Sequence, residues 1–293
     1  MLVRRFLLIV NLLFFFAINS LSYAKDIFIY PWYEQGGFAE DYFLKLLKLS
    51  LENSKDEFGD YELKQSVQTM YQGRAIVEIK RNRSIDVMWT MTSIKRERQV
   101  TPIRIPLLKG LAAYRIFLIK EGAQERFAKI TSEQQLKDLI AGQGKDWPDS
   151  YILLDNNYGL MTAAGHNLLF SMLQHGRFDY MPRALHEPWQ EIKKFPGLQV
   201  ESSLAIHYPA PFYFFVSNDN PKLKKRIEVG LTKAEQNGSF QHLFDTHPMT
   251  QNMVSSAKLK QRKIFRLKNM LLSEETKKIV EKIELFDSKN KEK

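Results

Sequence analysis

Thr90, Thr92, Ser93, Arg96 and Arg98 crowd one short stretch, and together they have the chemistry to hold a carboxylate. Residues 85–89 before them form an apolar run long enough for one buried strand. The hydroxyl side chains fall in the turn that follows, and 94–98 has the composition of a single helical turn. A helix N-terminus offers free backbone N–H groups to an anion, and a guanidinium adds a planar two-pronged donor. Pro102 and Pro106 forbid a long helix beyond. On these residues alone, a solvated basic turn at 95–98 is the better account.

Other chemistry is thinner. The histidines at 166, 175, 186, 207, 242 and 247 show no metal-ligand spacing, and neither a nucleophile elbow nor a dinucleotide fingerprint is present. With no cysteine, disulfides, thiolate metal sites and thiol nucleophiles are all absent. The sequence therefore calls for no cofactor and no metal. Trp32 follows the first predicted strand and could form an apolar wall for a ligand, although buried packing is the commoner fate of tryptophan. Tyr158 lies in a strand-to-helix turn, the place where open α/β sheets bind ligands. Arg183 follows Pro182 in the first turn of a predicted helix, with Glu187 four residues on. Either the two pair along the helix, or Arg183 faces a ligand.

The stretch around Asp86, Met91, Ser93, Glu97 and Arg98 resembles the signature of the family 3 periplasmic solute-binding proteins, the polar amino-acid type. Segments 110–115, 142–149, 176–183, 208–216 and 238–240 are similar to a stand-alone branch of that family, in the family's order. The resemblance implies a two-lobed α/β fold of type II, each lobe a mixed, mainly parallel sheet flanked by helices, with a ligand cleft between them. It gives Arg98 the ligand carboxylate and Ser93 a hydrogen bond to the same group, while Met91 stands where the family has glycine or alanine. It also implies a small-molecule solute, a transporter or sensor as partner, and a monomer. At the place of Arg183 the family usually offers an aspartate for the ligand's ammonium group. A guanidinium there fits a solute with two anionic ends, or one without an ammonium group. Some two-lobed relatives are enzymes on carboxylic substrates. Glu187, His186 or Asp155 could serve such a reaction as acid or base, but no paired constellation demands it. Binding is the expected function, with a dehydratase-like activity as the alternative.

The elements that must position these residues follow a strand–helix grammar. Strands are expected over 26–30, 61–67, 85–89, 112–119, 151–154, 178–181, 200–207, 212–216 and 264–267. Helices are expected over 38–55, 70–81, 131–140, 160–174, from 182 onward, 221–237 and 239–247. Tyr42, Phe43, Leu46, Leu47 and Leu51 fall on one face of the first helix. Residues 25–110 and 213–293 would make one lobe and 111–212 the other, with the chain crossing near 109–113 and 208–212.

Arg4 and Arg5, the apolar run after them and Ser22-Tyr-Ala24 read as a cleavable signal peptide over 1–24, which implies export to the periplasm. The net charge of +10 contains +2 from that segment and +6 from 257–293, leaving +2 for 25–256. A nearly balanced body with a basic tail argues against a nucleic-acid groove.

Overall fold

The computed structural model describes residues 25–33 and 38–291. The expected signal peptide and the Gly36-Gly37 loop lie outside the described residues. Strand β1 (Asp26–Tyr33), helices α1 (Phe38–Asn53) and α2 (Lys55–Phe58), strand β2 (Tyr61–Met70) and helix α3 (Gln72–Lys80) open the chain. Strand β3 (Val87–Met91), the single turn α4 (Ile94–Glu97) and strand β4 (Thr101–Ile103) follow. β1 and β2 pair in parallel. Asp86 ties this pair to the start of β3, because its carboxylate accepts the Ile29 N–H at 2.7 Å and its own N–H donates to the Ile29 carbonyl.

The middle of the chain holds β5 (Tyr114–Lys120), α5 (Gln124–Ala128), α6 (Glu133–Lys137), β6 (Ile140–Gly144), α7 (Pro148–Asp155), β7 (Gly159–Ala163) and α8 (His166–Gln174). It continues through β8 (Tyr180–Ala184), α9 (Pro188–Lys194), β9 (Leu198–Val200) and β10 (Leu204–His207). Strand β11 (Phe212–Val216), helices α10 (Pro221–Gln236), α11 (Ser239–Thr246) and α12 (Pro248–Ala257), strand β12 (Lys263–Arg266) and helix α13 (Glu274–Lys291) complete it. β11 returns to lie between β3 and β4. The large sheet runs β12-β10-β5-β8-β6-β7, with β9 on β5. Helices flank these sheets, and the architecture is the mixed α/β, two-lobed periplasmic-binding-protein fold.

Three sequence expectations are corrected here. Residues 151–154 are not a strand. They belong to α7, where Pro148 stands in the first turn and Ile152 and Leu153 point inward. The following strand, β7, occupies 159–163, the start of what was expected to be one long helix. Pro182 and Arg183 lie within β8, and the helix begins only at Pro188. Late in the chain β12 pairs in parallel with β10 of the large sheet before the chain returns to α4. At that return the Ile94 N–H donates to the Leu271 carbonyl at 2.7 Å.

The apolar stripe of α1 is buried as its spacing requires, with Tyr42, Leu46, Leu47 and Leu51 fully enclosed. Helix α10 crosses it so closely that a Cβ on Gly230 would stand 1.8 Å from the Ser50 carbonyl oxygen. Backbone cannot yield there as a side-chain tip could. Gly230→Ala is therefore expected to cost about 1–3 kcal/mol or more of stability. Chemical denaturation checks this, and an unchanged midpoint would contradict the close packing.

Candidate functional site

Between the sheets lies a cleft of about 1930 Å³, open solvent at its mouth included. One side is built from Tyr33, Glu40, Phe43, Trp89 and the 70–73 segment; the other from 144–147, His166, Arg183, His186 and Glu187. A smaller polar recess at its floor is lined by Gln72, Thr90, Met91, Arg96, Arg115, Gln143, Asp149, Arg183 and Glu187. Trp147 and Phe212 border both spaces.

Three arginines reach that recess, each buried. Arg115, on β5, donates from Nε to Asp149 at 2.8 Å, and its guanidinium lies over the Tyr208 ring. Asp149 also accepts the Tyr208 hydroxyl at 2.5 Å. Burial opposes ionisation of Asp149, but Arg115 and Tyr208 outweigh it and hold the carboxyl below its usual range. Arg183, on β8, donates to Glu191 at 2.5 and 2.9 Å and to Glu187 at 2.7 Å, and it lies over the Trp147 ring at 5.0 Å. Burial would raise Glu191, yet Arg183 and His166 bring it down to about 2. Glu187, whose other oxygen takes the Ala184 N–H, is raised by burial to about 7. Glu40 across the cleft is likewise raised by burial to about 7.

Arg96 differs from the other two. Its guanidinium donates to the Thr90 hydroxyl at 2.6 Å, the Met91 carbonyl at 2.7 Å and the Gln72 side-chain oxygen at 3.0 Å. All three acceptors are neutral, and Arg96 makes no ion pair among the described residues. Burial draws it down only to about 10, so it stays charged near neutral pH. The local sequence explains its placement. Ser93 caps α4 by accepting the Arg96 N–H at 3.3 Å, and the turn then folds the Arg96 side chain back onto the end of β3.

Of the residues singled out from the sequence, Met91, Arg183 and Glu187 line the floor recess. Arg98 does not join them: it ends α4 on the exposed side, and Arg96 takes the place expected of it. Residues two apart on a helix point about 200° apart, so the two arginines of one turn cannot share a face. Ser93 serves as a helix cap. Trp32 is 45% exposed, and its neighbour Tyr33 is the residue that borders the cleft. Tyr158 is buried in the core beside β6 and β7, with its hydroxyl donating to Glu133 at 3.4 Å. Thr90 and Arg96, from the hydroxyl-rich turn, line the recess as well, while Arg115, Asp149, Gln72 and Trp147 complete the site and are not singled out by the sequence. For Asp149 a signal existed: Trp147-Pro148-Asp149 is a helix start, with proline at the first position and an acid beside it.

The chain is similar in fold to an ancestral arginine-binding protein bound to glutamine, at 15% identity and a TM-score of 0.57, over 78% of this chain and 100% of that one. A histidine kinase sensor domain with similarity to periplasmic binding proteins matches at 14% identity and a TM-score of 0.56, over 76% and 96%. The cysteine-binding protein of Campylobacter jejuni matches at 16% identity and a TM-score of 0.53, over 80% and 94%. No protein-family model and no curated protein sequence matches the chain. Among the described residues, no helix is long and apolar enough to cross a membrane.

Proposed function

We propose that the chain is a periplasmic solute-binding protein of the family 3 type, which closes over a small carboxylate and presents it to a transporter or sensor. Residues 25–110 and most of 213–293 form one lobe and 111–212 the other, with β12 added to the second lobe's sheet. The observation that carries the reading is Arg96, a buried cation at the cleft floor whose protein partners are all neutral. A carboxylate entering the recess meets a guanidinium with no ion-pair partner among the described residues, and each charge-assisted hydrogen bond formed there is worth roughly 1.5–3 kcal/mol. The fold shared with amino-acid-binding proteins supports the same reading. Arg183 faces the cleft but is matched by Glu187 and Glu191, which favours one anionic group on the solute over two.

Calorimetric titration with small amino acids and simple carboxylates, each beside its amide, tests this. The carboxylates are expected to bind and the amides not. Glu187 and Glu40 are neutral below about pH 7 and negative above it. Their ionisation opposes an anion, so affinity is expected to fall from pH 6 to pH 8 by roughly three- to tenfold, ~0.7–1.4 kcal/mol. Glu187→Gln is expected to flatten that slope. Amides binding as well as acids would defeat the proposal.

A further inference from the structure

The wall above the polar floor is aromatic. Phe43 stacks on Phe212, with ring centroids 5.9 Å apart and planes 10° apart, and on Trp89 at 5.9 Å and 24°. Tyr33 meets the edge of Trp89 at 6.0 Å, and His186 stands perpendicular to Phe212 at 5.9 Å. All five rings border the cleft, and Phe212 borders the floor recess as well. The wall and the anion site are therefore continuous. β11 makes them so by pairing Phe212 directly with Met91, next to the Thr90 and Met91 atoms that hold Arg96.

We infer that the solute is an aromatic carboxylate, its acid group on Arg96 and its ring against the Phe43–Trp89–Phe212 wall. The inference rests on the solute-binding reading and adds the class of solute. Apart from the Tyr33 hydroxyl and His186 Nδ1, the wall offers a polar side chain no hydrogen bonds in exchange for its water, whereas a flat ring continues a stack already begun. His186 does not break the apolar character of the wall. Burial, then Arg183 and Arg115, hold its pKa down at about 3, so the imidazole is neutral. Arg183 is already covered by Trp147, so the cations of the floor do not compete for the wall.

The test titrates 3-phenylpropionate and phenylalanine into the protein, each beside its ring-less counterpart, propionate and alanine, and beside 3-cyclohexylpropionate. Each ring-bearing ligand is expected to bind at least tenfold more tightly than its counterpart, and 3-phenylpropionate more tightly than the cyclohexyl acid. Phe212→Leu, at a half-buried position, is expected to remove most of the ring's advantage. The same variant weakens the ring-less ligands far less than the ring-bearing ones, and Arg96→Met weakens both kinds. Propionate or alanine binding as tightly as the ring-bearing ligands, with dependence on Arg96, overturns the aromatic wall and leaves the solute-binding reading standing. A cyclohexyl acid that matches or exceeds the phenyl acid overturns it too. No binding by any of the five at millimolar concentration overturns both.

Discussion

Replacing Arg96 with methionine is expected to lower carboxylate affinity by about two to four orders of magnitude, while the ligand-free protein keeps its thermal stability. Two charge-assisted hydrogen bonds lost at roughly 1.5–3 kcal/mol each give that range. The stability half of the expectation follows from the partners of Arg96. A buried guanidinium facing only neutral oxygens has a large desolvation cost and no ion pair to offset it. An apolar chain of similar length in its place removes that cost along with the three hydrogen bonds. Arg96→Lys keeps the charge but not the planar fork, and is expected to restore only part of the affinity. Arg98→Ala, on the exposed side of the same turn, is expected to change neither property. Calorimetric titration with thermal melts of the ligand-free proteins measures both. Arg96→Met that binds within about threefold of the parent, or Arg98→Ala that loses binding, would reverse the assignment.

Arg183 is expected to behave in the opposite way. Its removal leaves Glu191 and Glu187 buried without their cation, and breaking a buried pair from one side costs roughly 3–5 kcal/mol. Arg183→Ala should therefore lower the stability of the ligand-free protein by about that amount. Most of the loss should return in the double variant Arg183→Ala/Glu191→Gln, where the buried charge is gone from both sides. Urea denaturation of the three proteins distinguishes the cases. Arg183→Ala within ~1 kcal/mol of the parent would show that its guanidinium is not committed to the glutamates and is free to meet a ligand.

Much of the scaffold could be read from local pattern. The apolar stripe of α1, the capping box formed by Ser132 and Gln135, and the short strand β12 all follow from spacing and residue type. Where the reading failed, the local signal was ambiguous. Four residues, 151–154, suit a buried strand or a helix segment equally well on apolar count. The proline at 148 and the exposure of Tyr151 and Leu154 on the outer face identify the helix. Pro182 looked like a helix start because proline favours that position. In β8 it sits instead opposite Phe117, and its carbonyl accepts the Gln143 side chain at 3.0 Å. The site was legible as a place but not as a set of partners. Spacing drew attention to the turn 94–98, in which the structure places Arg96, and not Arg98, at the recess. The contacts of Arg115 with Asp149 and of Arg183 with Glu191 join residues that only the folded sheet brings together.

Under the proposed division into lobes, the pairing of β12 with β10 has a mechanical side. Segment 263–273 is fixed at one end in the large sheet, through β12 on β10, and at the other on the turn that carries Arg96. There the Thr276 hydroxyl donates to Glu97 at 2.9 Å, and Arg104 holds the same carboxylate at 2.6 Å. Val280 and Ile283 of α13 border the same cavity as segments 109–113 and 209–212. Rotation of one lobe against the other thus works against a strap anchored on both, and not only against two freely twisting threads. Such a strap limits the amplitude of opening and confines the rotation to axes that leave its length unchanged. It is also fastened beside Arg96, whose hydrogen-bond partners among the described residues are all neutral.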